Sequence, residues 1–242
     1  MTHALFYQNP VALDKNTHGQ MSVASNIPLH FTKNLNAVPI TLVELPHIVQ
    51  FYPVAFSTSH PATPLAILGL RNQENLFINE QGEWLENTYI PAYIRRYPFI
   101  FSADPKSPDR LTLCIDDTND VLLSDQSNPL FIDNGELSSV TRNALDFCSS
   151  YQAAAEKTQI FTTALDDSGI LIDRHAEIRM PDNQLITLSG FRQIDEEKLD
   201  ALPKDLIAKW HEEKWLGKIY AAVSADRNWQ NLFQLMEKKL AE

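Results

Sequence analysis

The fold is decided by residues 136–165, which read ELSSVTRNALDFCSSYQAAAEKTQIFTTAL. Apolar side chains recur there at intervals of three or four residues, the period of an α-helix with one buried face. Gly169 follows as a stop, since glycine readily adopts the backbone conformation that ends helices. The spacing predicts a helix of about 45 Å at ~1.5 Å per residue. Its buried face would carry Leu137, Val140, Ala144, Leu145, Cys148, Tyr151, Ala155, Thr158, Phe161 and Leu165.

Strands are predicted on both sides of this helix. Upstream, Leu65–Leu70 and Leu111–Ile115 are short apolar runs of the kind found in buried strands. Downstream, short apolar-rich runs within residues 170–188 lie on either side of Pro181–Gln184, which favours a β-hairpin with its turn at Pro181–Gln184. Gly190 is expected to end the hairpin.

The two ends of the chain complete the fold prediction. Leu29–Phe31 is a candidate strand in a proline-rich region, and Lys218–Val223 is another. Helical spacing otherwise resumes from Pro203 onward. We therefore expect an α+β fold, with a sheet-rich N-terminal half, a long central helix, and then a β-hairpin and C-terminal helices packed as one unit.

Composition argues against two classes of partner. The chain has a net charge of −11 and a pI near 5.0. An acidic surface repels phosphate backbones and anionic lipid headgroups, so we expect neither nucleic-acid binding nor membrane binding. No stretch approaches the ~18 apolar residues of a membrane-spanning helix, so no membrane insertion is expected either.

Location and redox state follow from the N-terminus and the cysteines. Residues 1–10 carry neither a basic segment nor an apolar segment of the kind that directs export. Cys114 and Cys148 have no metal-type spacing. We expect a cytoplasmic protein in which both thiols are reduced.

The candidate binding residues come from YIPAYIRRYPF at residues 89–99, with a tryptophan just upstream. Aromatic faces and arginine forks together suit a small anionic or aromatic ligand, or a protein partner. On a strand, Tyr93, Arg95 and Tyr97 would share one face and Arg96 would take the other. A structural interpretation stays open, with tyrosines in the core and arginines paired to aspartates. The candidates are Trp84, Tyr89, Tyr93, Arg95, Arg96 and Tyr97.

Catalytic motifs are absent from the sequence. It has no GxSxG, no GxxxxGK[ST] and no GxGxxG. Glu44 and His47 have a spacing that can place two metal ligands on one helical face, and His60 follows in the sequence. Pro46 disfavours a continuous helix there. We therefore assign no catalytic residue, no metal site and no cofactor.

Several motifs carry a resemblance to a known family. In order, they are FYPVAF (51–56), Glu74–Ile78, Trp84, YIPAYIRRYPF (89–99), LSGF (188–191), Asp195–Leu199 and WLGKIYA (215–221). In this order and spacing the sequence resembles the SapC family of bacterial proteins, over roughly residues 5–238. The resemblance implies one SapC-like domain over residues 1–242 and an association with a bacterial surface layer. It also implies genes for outer-membrane receptors and halogenase-like proteins nearby, but no catalytic residues.

Three functions of different classes remain compatible with the sequence. A non-catalytic binding or accessory protein is favoured, because no catalytic signature is present. The first alternative is an enzyme whose metal- or ligand-dependent site forms no sequence motif. The second is a component of a surface layer. The sequence indicates no oligomeric state.

Overall fold

The computed structural model describes residues 5–104, 107–118, 120–125, 127–179 and 185–241. The strands within these ranges are β1 (Pro10–Ala12), β2 (Ser22–Val23), β3 (Ala37–Pro39), β4 (Val54–Ser57), β5 (Pro64–Ile67), β6 (Phe99–Asp104), β7 (Ser107–Asp116), β8 (Leu122–Leu123), β9 (Leu171–Arg179) and β10 (Leu185–Ile194). The α-helices are α1 (Lys15–His18), α2 (Leu45–Ile48), α3 (Ala92–Arg95), α4 (Ser139–Ser168), α5 (Glu196–Asp200), α6 (Lys204–Glu212), α7 (Leu216–Ser224) and α8 (Asn228–Ala241). Short 3-10 helices occupy Leu29–Thr32 and Ala225–Arg227.

The strands form antiparallel sheets. The largest has the order β3-β5-β4-β10-β9, a second has the order β1-β7-β6, and β2 pairs with β8. The predicted hairpin is present as β9 and β10, and β10 also pairs with β4, where Arg192 lies opposite Phe56. The hairpin therefore completes a sheet that the N-terminal half begins. Its expected turn, Pro181–Gln184, lies outside the described residues.

The long helix α4 begins and ends as the sequence indicates, within three residues. Ser138 caps its start, where the Oγ accepts a hydrogen bond of 3.2 Å from the Thr141 amide. Gly169 ends it in the left-handed conformation, with φ of 73°. Cys148, Thr158, Phe161 and Leu165 are buried along the predicted face.

Helix α4 joins two apolar cores. Near its start, Val140 and Cys148 pack with Phe99 and Ile115 of the three-stranded sheet. Near its end, Phe161 belongs to the larger core, which contains the five-stranded sheet and helices α7 and α8. The α+β prediction is confirmed, with the sheet-rich N-terminal half, the long helix, the hairpin and the C-terminal helices all present.

Three local predictions were wrong. Lys218–Val223 lies in helix α7, because Ile219 and Ala222 bury one helical face, and a short apolar run does not distinguish strand from helix. Leu29–Phe31 is part of a 3-10 helix that starts after Pro28. Gly190, with φ of 81°, lies at a bulge inside β10, and the strand continues to Ile194.

None of the helices in the described ranges is both long enough and apolar enough to cross a lipid bilayer.

Candidate functional site

The two consecutive arginines lie on a single helical turn rather than on a strand. Pro91 precedes helix α3, and the amides of Arg95 and Arg96 donate to the carbonyls of Pro91 and Ala92, each over 3.1 Å. The predicted strand geometry was wrong, because these hydrogen bonds close a local turn. Successive residues on a helix differ by about 100° in direction. As a result Arg95 is exposed, whereas Arg96 is only 8% exposed.

Glu44 fixes the start of this turn. Its Oε1 accepts hydrogen bonds from the Ala92 amide (2.6 Å) and the Tyr89 hydroxyl (3.2 Å). Its Oε2 accepts two more, both of 2.9 Å, from the amide and the hydroxyl of Thr41. Four donors fill the lone-pair sites of the carboxylate. Glu44 therefore accepts a hydrogen bond from the first amide of α3, which has no partner within the helix, and so sets the position of both arginines.

Arg96 is surrounded by aromatic rings. Its guanidinium carbon lies 4.0 Å from the ring centre of Tyr93, 4.8 Å from that of Tyr151 and 5.9 Å from that of Tyr7. Its Nε and Nη2 atoms are buried and have no hydrogen-bond partner among the described residues. Within the described ranges, no carboxylate oxygen lies within 4.0 Å of its nitrogens. Arg96 is thus a buried cation stabilised by aromatic faces rather than by an ion pair.

Arg95 is held in a different way. Its Nη2 donates to the Tyr89 hydroxyl over 2.7 Å, and its Nε donates to the Ile90 carbonyl over 2.9 Å. Its guanidinium carbon also lies 5.1 Å from the ring centre of Tyr89 and 5.3 Å from that of Phe147. The Tyr89 hydroxyl accepts from Arg95 and donates to Glu44, so it links the guanidinium to the carboxylate. No Asp or Glu in the described parts of the chain forms an ion pair with Arg95.

Two neighbouring cavities lie against the α3 turn. We call the first the arginine cavity; it has a volume of about 340 Å³. Its polar side chains are Ser25, Arg95, Arg96 and Tyr97, and its walls are otherwise apolar. The main apolar side chains are Val23, Ile27, Phe99, Val140, Ala144 and Phe147.

We call the second the glutamate cavity; it has a volume of about 430 Å³. Glu44, His47, Tyr89 and Tyr151 line it, and it shares Arg95 and Phe147 with the arginine cavity. The His47 ring stacks on Tyr89, with ring centres 5.1 Å apart. This cavity therefore combines a carboxylate, a guanidinium, an imidazole and two phenols at one place.

The phenols of Tyr7, Tyr89 and Tyr151 stay protonated over the physiological pH range. Burial, and then the nearby Glu44 carboxylate, raise the pKa of Tyr89. Burial also raises the pKa of Tyr151 and that of Tyr7, although the Arg96 guanidinium acts in the opposite direction on both. These tyrosines therefore act as neutral groups that can donate a hydrogen bond.

Not every sequence candidate belongs to this place. Trp84 lines neither cavity; its indole donates to the Tyr52 hydroxyl over 3.1 Å. Tyr97 lines the arginine cavity, and its hydroxyl donates to buried Asp116 over 3.0 Å. Tyr93 is fully buried beneath Arg96. The structure thus brings Tyr89, Tyr93, Arg95, Arg96 and Tyr97 together and leaves Trp84 apart.

Sequence reasoning missed the residues that α4 and the N-terminus contribute. Phe147 forms a wall of both cavities, and Tyr151 and Tyr7 complete the rings around Arg96. Tyr151 was expected only as part of the buried face of the helix. Its polar hydroxyl on a mostly apolar face is a signal that could have marked it, although Thr158 on the same face also carries a hydroxyl.

The three residues weighed as metal ligands are divided between two places. Glu44 and His47 line the glutamate cavity. His60 instead places its Nδ1 atom 3.1 Å from the buried carboxylate of Asp166, which also pairs with Arg192 over 2.7 Å. In the described part of the chain, no group of three or more His, Cys, Asp or Glu side chains could hold a metal ion.

A larger cavity of about 450 Å³ lies elsewhere, and its lining includes residues of β3, β5 and β10 together with Trp229. None of the sequence candidates lines it, and Arg71 is the one charged residue among the described residues of its lining. Asn36, Asn72, Thr187 and Ser189 add polar side chains to its lining.

Comparison with known proteins identifies the family but no individual relative. A family model described as SapC matches residues 13–232. No curated protein and no solved structure matches the chain. The matched segment includes the α3 turn, the whole of α4 and both cavities. It covers nearly the full length, so this chain belongs to the SapC family.

Proposed function

We propose that the chain is a non-catalytic binding protein that recognises an anionic group at the α3 turn. The observation that carries the proposal is the pair Arg95 and Arg96. Both line the arginine cavity, and neither is paired with a carboxylate in the described parts of a chain with a net charge of −11. An excess of acidic side chains makes a structural arginine easy to pair. Two adjacent arginines left unpaired favour an external anion.

The energetics of burial support the same proposal. Taking an ion out of water costs several kcal/mol unless a partner compensates. Contacts with aromatic faces return about 2 kcal/mol when they are desolvated. The Nε and Nη2 atoms of Arg96 are buried and have no hydrogen-bond partner among the described residues. An arginine fork binds carboxylate or phosphate groups with two parallel hydrogen bonds. An anion that reached this edge after a local rearrangement would supply the missing compensation.

Native mass spectrometry of the purified protein tests the proposal. Wild type should retain a bound mass or partner, or bind an added anion, and Arg95→Lys or Arg96→Lys should lose it. Lysine keeps the charge but not the planar fork. The melting temperature should change little in Arg95→Lys, because Arg95 is exposed, and should fall in Arg96→Lys, because the stacking on Tyr93 and Tyr151 is lost. Arg142→Lys is the matched control, because Arg142 is exposed on α4 and pairs with Glu136 over 3.4 Å.

Two outcomes would contradict the proposal. One is that carboxylate, phosphate and sulfate all fail to bind and no retained mass depends on either arginine. The other is that both lysine variants lose stability while binding stays unchanged, since that would make the segment part of the structural scaffold.

A second candidate function, an enzyme, is favoured by one observation. Glu44 and His47 line the same cavity as Tyr89 and Arg95, and such groups can transfer protons. Against it, four hydrogen bonds already fill the carboxylate of Glu44, so at least one of them would have to rearrange before it could accept a proton or bind a metal. Elemental analysis of the purified protein distinguishes the two: a stoichiometric metal that Glu44→Gln and His47→Ala both remove would favour the enzyme.

A further inference from the structure

We infer that the cavity of about 450 Å³, which we call the sheet cavity, binds a sugar: a neutral ring with several hydroxyl groups on a carbon frame. The sheet cavity shares no described lining residue with the arginine cavity or the glutamate cavity, so this site goes beyond the proposed function. Three features of the cavity favour a sugar: an apolar floor, an aromatic wall, and a rim of uncharged hydrogen-bonding side chains.

The register of β3 and β5 builds the floor. Ala37 lies opposite Ile67, and residues directly opposite each other on antiparallel strands project from the same face of a sheet. Leu65 lies two residues before Ile67, so its side chain projects from that face as well. Ile67 is buried, whereas Ala37 and Leu65 are only half-buried. The floor is therefore apolar and partly open to solvent.

The aromatic wall rises from the same face of the sheet. Phe191 of β10 lies opposite Ser57 of β4. Ser57 shares a face of β4 with Ala55, which lies opposite Leu65 of the floor. The Phe191 ring therefore projects from the floor side. The ring of Trp229 lies next to it, with the ring centres 5.7 Å apart.

The start of α8 holds this wall in place. Asn228, which precedes Trp229, is 1% exposed. Its side-chain amide donates to the carbonyls of Val49 and Tyr52, each over 2.9 Å. These bonds tie the first turn of α8 to the segment that follows α2. A wall that is ordered before binding loses little further freedom when a ligand arrives, which favours affinity.

Four uncharged polar side chains form the rim. They are exposed, and none of the hydrogen bonds between described residues uses them. Amide and hydroxyl groups both donate and accept hydrogen bonds. A sugar hydroxyl also does both, so each rim group can pair with it in either sense. The rim side chains are Asn36, Asn72, Thr187 and Ser189.

A β-bulge brings one of these groups to the rim. The register between β10 and β9 shifts between Leu188 and Phe191, and Ser189 and Gly190 lie within the shift. Gly190 has a φ of 81°, a conformation that residues other than glycine adopt at a cost. Bulges often occur beside functional sites, where they redirect a side chain. Here the bulge places Ser189 beside the aromatic wall.

Other classes of ligand fit the sheet cavity less well. No Asp, Glu, Lys or His is among its described lining residues, and Arg71 already interacts with another group of the chain. A charged ligand would therefore lack a dedicated partner. A hydrocarbon would displace water from the rim without replacing its hydrogen bonds. A sugar matches both parts, because its C–H groups can contact the floor and wall while its hydroxyls meet the rim. The volume lies within the range of ~300–1,000 Å³ for small-molecule pockets.

Calorimetric titration with methyl glycosides tests the inference. The probes are the methyl glycosides of glucose, galactose, mannose and N-acetylglucosamine. Glycerol, which has hydroxyls without a ring, and cyclohexanol, which has a ring with one hydroxyl, are the matched controls. At least one glycoside should bind about 10-fold more tightly than either control. If no glycoside binds, or if the best one falls short of that ratio, the inference is wrong.

Rim variants locate the binding. Asn72→Ala and Ser189→Ala each remove one hydrogen-bonding group and should lower affinity for the best glycoside about 5-fold. Both side chains are exposed, so the melting temperature should stay that of wild type. Asn143→Ala is the matched control, because Asn143 is exposed on α4 and lines none of the three cavities. Unchanged affinity in both rim variants would overturn the assignment of the sheet cavity.

Trp229 variants test the wall. Trp229→Phe keeps an aromatic ring and should retain glycoside binding, whereas Trp229→Ala should lower the affinity about 10-fold or more. Equal affinity in Trp229→Ala and wild type would contradict the aromatic wall. The rim variants keep the test decisive if Trp229→Ala folds poorly.

The variant Arg95→Lys separates this site from the α3 turn. It should leave glycoside binding unchanged, because Arg95 does not line the sheet cavity. Loss of glycoside binding in Arg95→Lys would move the sugar to the α3 turn and overturn the inference. Failure of all four glycosides would leave anion binding at the α3 turn untouched, since the two sites share no described lining residue.

Discussion

Replacing Phe161 with alanine tests whether the apolar face of α4 forms the main core. Phe161 is 1% exposed and belongs to the largest apolar cluster. Its ring meets that of Trp215 nearly at a right angle, with the centres 5.5 Å apart. Removing a buried phenylalanine costs the transfer free energy of the ring and leaves a cavity behind. The expected loss in the free energy of unfolding is about 3–5 kcal/mol.

Three contributions make up this loss in the free energy of unfolding. Burying a phenylalanine side chain contributes about 1.5–3 kcal/mol. The edge-to-face contact with Trp215 adds about 0.5–1.5 kcal/mol. The remainder comes from the cavity, whose cost rises by about 24 cal/mol per Å³ of volume that the surroundings fail to fill.

Urea unfolding followed by circular dichroism measures the effect. With a slope of about 3 kcal/mol/M, at the upper end for small proteins, the midpoint should fall by about 1 M or more. Ile160→Ala is the matched control, because Ile160 is the adjacent residue on α4 but is 62% exposed. It should change stability by less than about 0.5 kcal/mol. A loss below about 1 kcal/mol in Phe161→Ala would refute the assignment of this face to the core.

Three further predictions concern titration, thiols and cooperativity. Burial raises the pKa of Tyr7, Tyr52, Tyr97 and Tyr151 above the ordinary value of 10.0, so the folded state binds more protons than the unfolded state at alkaline pH. Stability should be fully present below about pH 10 and fall above it; chemical unfolding at pH 8 and pH 11 checks this, and equal stability at both would contradict it. Burial raises the pKa of the Cys148 thiol to about 11 and also raises that of Cys114, so a thiol reagent should label both only after unfolding. Fast labelling of either in native protein, or a Cys114–Cys148 bridge in protein taken from intact cells, would count against this. Calorimetry should give one unfolding transition, because α4 belongs to both cores, whereas two separated transitions would indicate two domains.

The long helix and the hairpin could be predicted from the sequence, because each is encoded by its own residues. Ten positions at helical spacing, with Gly169 after them, define α4 without reference to the rest of the chain. The two strands of the hairpin are each long enough for their side-chain pattern to show the period of a strand. Local patterns of this length leave few competing structures.

The α3 turn could not be predicted in the same way. It has four residues, too few to show a helical period, and its first amide is satisfied by Glu44, 48 positions earlier. A hydrogen bond over that separation has no local signature. The tyrosines suggested a strand, although the tertiary contact with Glu44 outweighs that preference.

The candidate site was found only in part, and for a related reason. The sequence showed the arginines with three of their neighbouring tyrosines, since these lie within nine residues of one another. It did not show that Tyr7, Phe147 and Tyr151 meet them, because Tyr7 comes from the segment before β1 and the other two come from α4. It also grouped Trp84 with the segment by proximity, whereas the indole points to Tyr52. Proximity in the sequence therefore predicted which residues belong to the site better than it predicted how they are arranged.

The side chain of Phe147 has a thermodynamic consequence, because it is a wall of both cavities. A ligand that displaces this ring in the arginine cavity alters the shape of the glutamate cavity and therefore changes its affinity. Thermodynamic linkage requires the reverse effect to be equal, so a ligand in the glutamate cavity changes affinity in the arginine cavity by the same factor. Two molecules bound on either side of Phe147 would sense each other through one aromatic ring.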